Sequence, residues 1–187
     1  MIDKVPRQRL RAAATRDGTL LRVRPEEEAD RLAIQTVNRA AFETSAEATL
    51  VDVLRAKPSA VASLVADIDG QVVGHIMFSA VTFAEQPAAR VVGLAPMAVS
   101  PENQRAGVGS ALVGEGLKLC KQLGYQAVVV LGYPEFYPRF GFVPASRYAI
   151  RCEYDAPDDA FMIVELQPHA LRSLHGLVRY DEAFASV

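Results

Sequence analysis

The residues best suited to chemistry lie between Leu94 and Ser110. There an apolar run, Leu94-Ala95-Pro96-Met97-Ala98-Val99, passes through Ser100-Pro101 into the loop Gln104-Arg105-Ala106-Gly107-Val108-Gly109-Ser110. A strand that turns through glycines into a helix start is suited to phosphate. The first N–H groups of a helix lack an intrahelical acceptor and carry the positive end of its dipole, so a diphosphate can take both the hydrogen bonds and the field. Side chains at Gly107 and Gly109 would hold ligand oxygens off the main chain, and glycine accepts the positive φ such loops need. Two other phosphate signatures fail here. No lysine follows the glycines as a Walker loop requires, and Gly107, Gly109 and Ala111 do not make Gly-x-Gly-x-x-Gly. A second block, Tyr133-Pro134-Glu135-Phe136-Tyr137-Pro138-Arg139-Phe140-Gly141-Phe142, supplies a phenol among aromatics.

Several elements must position these blocks. Leu20 to Arg24 reads as a strand, and Pro25 with Glu26-Glu27-Glu28 as a helix start whose carboxylates complement the dipole. That helix carries Leu32, Ile34, Val37, Ala40, Ala41 and Phe42 for a buried face, and a second helix spans 46–56. Strands over 60–68 and 71–83 flank Asp69-Gly70, a dipeptide suited to a type I′ hairpin turn. Residues 91–99 form a further strand, in which Pro96 cannot donate to a ladder and marks a local break. A helix over 109–123, capped by Gly124, and a buried strand over 126–131 complete a crossover with parallel neighbours and the loop at the carboxyl end of its first strand. Gly114 and Gly116 suggest close packing of that helix on the sheet. Segments 148–154 and 161–166 read as closing strands, and 170–185 as an added short helix and tail.

A chain of 187 residues, half of them apolar, fits one domain with a sizeable core. The net charge of −2 and the lack of a downstream basic block argue against nucleic acid as the main partner. Cys120 and Cys152 form no disulfide framework and no metal-ligand spacing, and no run reaches the roughly 20 apolar residues of a membrane helix. The expectation is a cytoplasmic protein with neither membrane nor metal. Residues 1–18, with four arginines, read as a frayed helix or solvated tail.

Gln104, Gly107 and Gly109 match Gln/Arg-x-x-Gly-x-Gly/Ala, the coenzyme A signature of the GNAT superfamily of N-acyltransferases, which this segment closely resembles. Met97-Ala98-Val99 resembles that family's fourth strand, and Tyr137 to Phe142 its Tyr-x-x-x-Gly-Phe ending, in a form similar to a branch of bacterial predicted acetyltransferases with Tyr-Pro-Arg-Phe-Gly-Phe. The resemblance covers residues 19–168, with extensions at 1–18 and 169–187. It implies an α/β (α+β) GNAT fold: a mixed, largely antiparallel sheet of six to seven strands flanked by helices, splayed between the fourth and fifth. It also implies acetyl-CoA as cosubstrate, an amine of a small molecule or peptide as acceptor, and direct transfer.

On the same resemblance, coenzyme contacts fall to Met97, Ala98, Val99, Gln104, Arg105, Ala106, Gly107, Val108, Gly109, Ser110, Gly132 and Phe136. Arg139 serves either as a second cation for phosphate or in a surface ion pair. Tyr137 takes the role of general acid, since a phenol with pKa near 10 is protonated at neutral pH and can donate to a departing thiolate. For the base, some members carry a glutamate on the fourth strand where this chain has Gly93, leaving Glu43, Glu47 and His75 as candidates or a water relay in their place. The family's common asparagine after the fifth strand is replaced by Gly132-Tyr133-Pro134-Glu135. The competing reading is a non-catalytic acyl-CoA-binding module on the same fold. Leu171, Leu174, Leu177 and Val178 serve either the core or a homodimer contact.

Overall fold

The computed structural model describes residues 12–14 and 20–186. Its strands are β1 (Ala12–Ala14), β2 (Leu20–Pro25), β3 (Ala60–Ile68), β4 (Gln71–Phe83), β5 (Val91–Val99), β6 (Ala127–Leu131), β7 (Val143–Pro144), β8 (Ile150–Cys152), β9 (Phe161–Glu165) and β10 (Gly176–Arg179). The helices are α1 (Arg31–Ala41), α2 (Ala46–Arg55) and α3 (Val108–Gln122), with short 3-10 turns between elements. The fold is mixed α/β, an open mixed sheet flanked by helices. Its hydrogen-bonded order is β1-β2-β3-β4-β5-β6-β9-β7, with β10 pairing β4 and β8. Among the described residues, ten strands exceed the six or seven expected because short pairings at the edges and at the carboxyl end add to the main set. Two compact units emerge: one has the residues up to Phe78, Pro96–Gly116 and the last 3-10 turn, the other Ser79–Ala95 and Leu117–Glu182.

In the first unit, β2 pairs antiparallel with β3 from Leu21↔Ile68 to Pro25↔Leu64. The turn at Asp69 and Gly70 has φ of 51° and 85°, as a type I′ hairpin demands. Pro25 ends β2 instead of starting a helix. The helical run begins later, at a 3-10 turn over Glu28–Asp30, where Glu27 and Asp30 form a reciprocal capping box. The buried face of α1 is narrower than expected: Ile34, Val37 and Asn38 are buried, whereas Leu32 is 78% exposed. Helix α2 buries Ala48, Leu50, Val51 and Leu54. Of Gly114 and Gly116, the latter has the packing role, since a Cβ there would lie 2.4 Å from ring carbons of Phe78, while one at Gly114 would meet open space. Within the segment expected as a helix or tail, Ala12–Ala14 is a strand antiparallel to β2; residues 1–11 and 15–18 lie outside the described residues.

In the second unit, β5 and β6 run parallel as the crossover predicts, and their register ends at Gly93↔Val129, ahead of Pro96. Strand β6 pairs antiparallel with β9, and β9 with β7. The C-terminal segment is helical only in short 3-10 turns, Ala170–Arg172 and Glu182–Ser186, with a strand between them. Gly176–Arg179 is a strand between β4, antiparallel, and β8, parallel, and Leu171, Leu174 and Val178 join Val81, Val91, Val129 and Ile163 in one buried cluster. Leu171, Leu174 and Val178 thus serve the core, while Leu177 is half-buried. Cys120 is buried and Cys152 half-buried, both as free thiols. Among the described residues, no helix is long and apolar enough to cross a membrane.

Candidate active site

The loop after β5 is held from behind by its own side chains. The Ser100 N–H donates to the Val73 carbonyl at 2.9 Å, a 3-10 turn follows over Pro101–Asn103, and the Gln104 amide folds back to donate to the Val99 carbonyl at 3.1 Å. Arg105 and Gly107 then take φ of 61° and 97°. An L-residue pays for that conformation, so Arg105 holds the left-handed region under strain that the loop must sustain. At Gly107 a Cβ would meet nothing within 4 Å, so backbone angle and open space in front of the loop account for glycine there. The Ala111 N–H donates to the Gly107 carbonyl at 3.0 Å, leaving the N–H groups of Val108, Gly109 and Ser110 ahead of the helical ladder. Arg105 is exposed beside them. This is a concentration of unpaired main-chain donors with positive helix-dipole character, suited to an anionic oxygen cluster. The amide nitrogen of Gln104 is thus spent on pinning the loop.

The second block forms a closed aromatic turn. The Phe136 N–H donates to the Tyr133 carbonyl at 3.0 Å, and a 3-10 turn spans Tyr137–Phe140 and ends at Gly141 with φ of 88°. Tyr137 is 6% exposed, edge-on to Phe136 at 5.0 Å and to Phe142 at 5.5 Å between ring centres. Burial, with a smaller effect of the Tyr133 phenol, pushes its pKa up to about 12. Tyr137 is therefore a proton donor throughout the neutral range. Arg139 does not reach outward as a phosphate ligand: its guanidinium lies over the Phe136 ring, 4.9 Å from the centre, and donates to the Glu135 carbonyl at 3.1 Å. The Gly132 N–H is committed to the Ala160 carbonyl at 3.0 Å, so any coenzyme contact there falls to its other atoms.

The base candidates fare unequally. His75, expected on the acceptor side, is fully buried in the first unit. Its Nδ1 accepts from the Asn38 amide at 3.3 Å, and its Nε2 donates to Ser63 Oγ at 2.8 Å. Burial lowers its pKa despite Glu26, whose carboxylate is 3.7 Å away, so the ring is neutral with both nitrogens engaged. Ser63 Oγ donates in turn to Glu26, which also accepts from Arg55 Nε; Arg55 donates to Asp52, and Asp52 accepts from Gln35 at 2.6 Å. Burial alone would raise the Glu26 carboxyl, but His75, Arg55 and Ser63 outweigh it and bring the pKa down to about 2. Glu26, read from sequence as a first-turn carboxylate, is thus the centre of a buried network. Only the pairing of a strand-end glutamate with residues 29 and 37 positions onward reveals it, and no local signal carries that.

Glu47 sits half-exposed in the first turn of α2 and accepts from Thr44 at 3.1 Å, while Glu43 is exposed in the preceding bend. At Gly93, a Cβ would come within 2.8 Å of the Tyr180 ring and 3.1 Å of Val81. A glutamate there has no room, because the residue following β10 fills that place. A cavity of about 610 Å³ opens between Arg31 and Gln35 of α1 and Asp52 and Arg55 of α2, and none of the motif residues lines it.

Comparison with known proteins bears on both blocks. A model of the acetyltransferase (GNAT) family matches residues 29–142. The uncharacterised N-acetyltransferase YhbS of Escherichia coli K12 is 39% identical over 163 residues, which is 87% of this chain and 97% of that protein. The crystal structure of Escherichia coli YhbS in complex with CoA superposes with a TM-score of 0.85 at 36% identity, covering 95% of this chain and 96% of that one. A GNAT family acetyltransferase from Brucella melitensis in complex with acetyl-CoA gives 0.73 at 34% identity, covering 88% and 97%.

Proposed function

Because this chain belongs to the GNAT acetyltransferase family, we propose that it is an N-acetyltransferase that moves an acetyl group from acetyl-CoA directly to an amine of a small molecule or peptide. The observation that carries the reading is the loop from Gln104 to Ser110, with strained main chain, free N–H groups at the start of α3 and open space before Gly107. Relatives in complex with CoA and acetyl-CoA support the choice of ligand. In this reading the coenzyme diphosphate is taken by the N–H groups of Val108, Gly109 and Ser110 with Arg105 beside them, and the pantetheine arm runs along Met97, Ala98 and Val99. Ala106 and Phe136 complete the contacts.

In the chemical step, the amine lone pair attacks the thioester carbonyl, and main-chain N–H near Ala98 or Val99 stabilises the oxyanion. The carbon–sulfur bond then breaks with its electron pair on sulfur, and the Tyr137 hydroxyl donates its proton to the leaving thiolate. Solvent returns that proton. His75 offers no free lone pair, so the amine proton passes to Glu47 or to water. The glycine at 93 and the sealed imidazole favour one second reading, a coenzyme-binding module without turnover.

The deciding experiment is calorimetric titration with acetyl-CoA, CoA and ADP, followed by an amine screen that reads CoA thiol release. Micromolar binding that requires the pantetheine arm, together with amine-dependent thiol release reduced about a hundredfold in Tyr137→Phe at unchanged affinity, is the expected result. Binding without release for any amine would leave the module. Equal affinity for ADP and acetyl-CoA would overturn the coenzyme assignment.

A further inference from the structure

We infer that Gly132 is a positioning residue for Tyr137: its bare main chain is the floor on which the phenol ring is seated. This rests on the reading of Tyr137 as the acid. A Cβ at Gly132 would fall 2.5 Å from Cε2, 3.2 Å from Cδ2 and 3.4 Å from Cζ of the Tyr137 ring, so ring and main chain are in direct contact. The backbone of Gly132 is not among the positive-φ glycines, so space and not conformation requires glycine. Neither side of the contact can easily yield. The Gly132 N–H is tied to the Ala160 carbonyl at 3.0 Å, while the ring is braced edge-on by Phe136 at 5.0 Å and by Phe142 at 5.5 Å. The turn from Tyr133 to Tyr137 is also closed by main-chain bonds from the N–H groups of Phe136 and Tyr137 to the Tyr133 carbonyl. A methyl group at 132 must therefore swing the ring, and with it the hydroxyl that donates the proton.

The sequence places glycine where a side chain would compete with the tyrosine for the same volume. Misplacement by about 1 Å can cost about a hundredfold in rate, enough to make a residue that touches neither acyl group nor amine visible in turnover.

The test is a double-mutant cycle on thiol release from acetyl-CoA, to the best amine of the screen or to water, with Kd for acetyl-CoA and Tm measured for each protein. Gly132→Ala should lower kcat at least about tenfold at saturating acetyl-CoA, so that any change in Kd is read separately from the loss of turnover. Added to Tyr137→Phe, it should cost less than about twofold more, because the group it misplaces is already gone. Full turnover in Gly132→Ala beside a slow Tyr137→Phe overturns the inference and leaves the acid in place. Equal losses in both backgrounds also overturn it, assigning Gly132 some effect independent of the phenol. An unchanged Tyr137→Phe overturns the acid reading itself, and the inference with it. Should Gly132→Ala not fold, Phe142→Leu removes an edge-on brace of the same ring, and the same loss of kcat without further cost in Tyr137→Phe is expected. Additivity there overturns the inference.

Discussion

Two regions of the first unit hold polar groups in opposite states. The network around Glu26 contains a serine, a histidine and a carboxylate in contact, the residue types of a nucleophilic triad, yet the arrangement is chemically closed. Ser63 gives its proton to Glu26 and not to His75, and His75 has both nitrogens engaged. The loop from Gln104 to Ser110 has almost no side chains able to do chemistry, yet its main-chain donors at the start of α3 lack acceptors. Reactive residue types spent on one another stabilise the fold, whereas plain backbone left unsatisfied can bind. Accessibility of unpaired groups, not residue type, separates the two regions, since the network's own unpartnered atoms, Asn38 Oδ1 and Arg55 Nη2, are buried.

The largest break in that comparison comes from opening the closed region. Glu26→Ala leaves the Arg55 guanidinium buried beside Asp52 without its inner partner, and removal of one member of a buried pair costs about 3–5 kcal/mol. Chemical denaturation should show a loss of that size, with acetyl-CoA affinity retained wherever the protein stays folded. A loss under about 1 kcal/mol would mean the network is not structural. Opposite behaviour is expected of the loop. Gly107→Val meets no clash but must hold φ near 97°, and its side chain stands in the ligand's path. Acetyl-CoA affinity should fall at least about thirtyfold, or about 2 kcal/mol, with a stability cost of about 1–2 kcal/mol for the strain. Unchanged calorimetric affinity would remove the phosphate role from Gly107.

A third, smaller effect is read by acid. The Glu26 pKa of about 2 lies below its ordinary value near 4.5, so the folded state is favoured by the ionised carboxylate. That stabilisation is complete above about pH 5 and is lost as pH falls toward 2, because the unfolded chain takes up its proton first. Tm measured from pH 6 to pH 3 should therefore fall more steeply in the native protein than in Glu26→Gln, the difference amounting to about 2 kcal/mol. Parallel curves would show that the carboxylate gains nothing from its partners.

Legibility follows the same division. The loop could be read because its elements are local: apolar run, turn, glycines and helix start lie within consecutive residues, as do Asp69-Gly70 and the crossover from β5 to β6. The aromatic block was equally compact, and Tyr137 stands in it. The long-range features stayed hidden. Glu26 looked like a helix-start carboxylate because its neighbours in sequence are glutamates, while its partners sit on α2, β3 and β4. The C-terminal segment, expected as a short helix and tail, holds a strand over Gly176–Arg179 because β4 and β8 pair with it, and neither partner is local in sequence. Tyr180 against Gly93 belongs to the same class, a contact between residues far apart in sequence that decides whether a carboxylate fits.

The smallest expected effect is the sharpest test of the comparison. If His75 serves the fold alone, then His75→Gln, whose amide can still donate toward Ser63, should lower Tm modestly, by about 1–2 kcal/mol in stability, and leave the pH profile of thiol release superimposable on that of the native protein. The buried imidazole is held neutral, its pKa pushed below the ordinary value, so it contributes no ionisation to the profile at neutral pH. The Tyr137 phenol, held up to about 12, likewise leaves the profile flat well past pH 9 on its alkaline side. Any limb between pH 6 and pH 9 must then belong to the attacking amine, and replacing the amine by one of lower pKa should shift that limb by the difference. A limb that disappears in His75→Gln while staying fixed across amines would show instead that the network opens during turnover, and that the closed region takes part in catalysis.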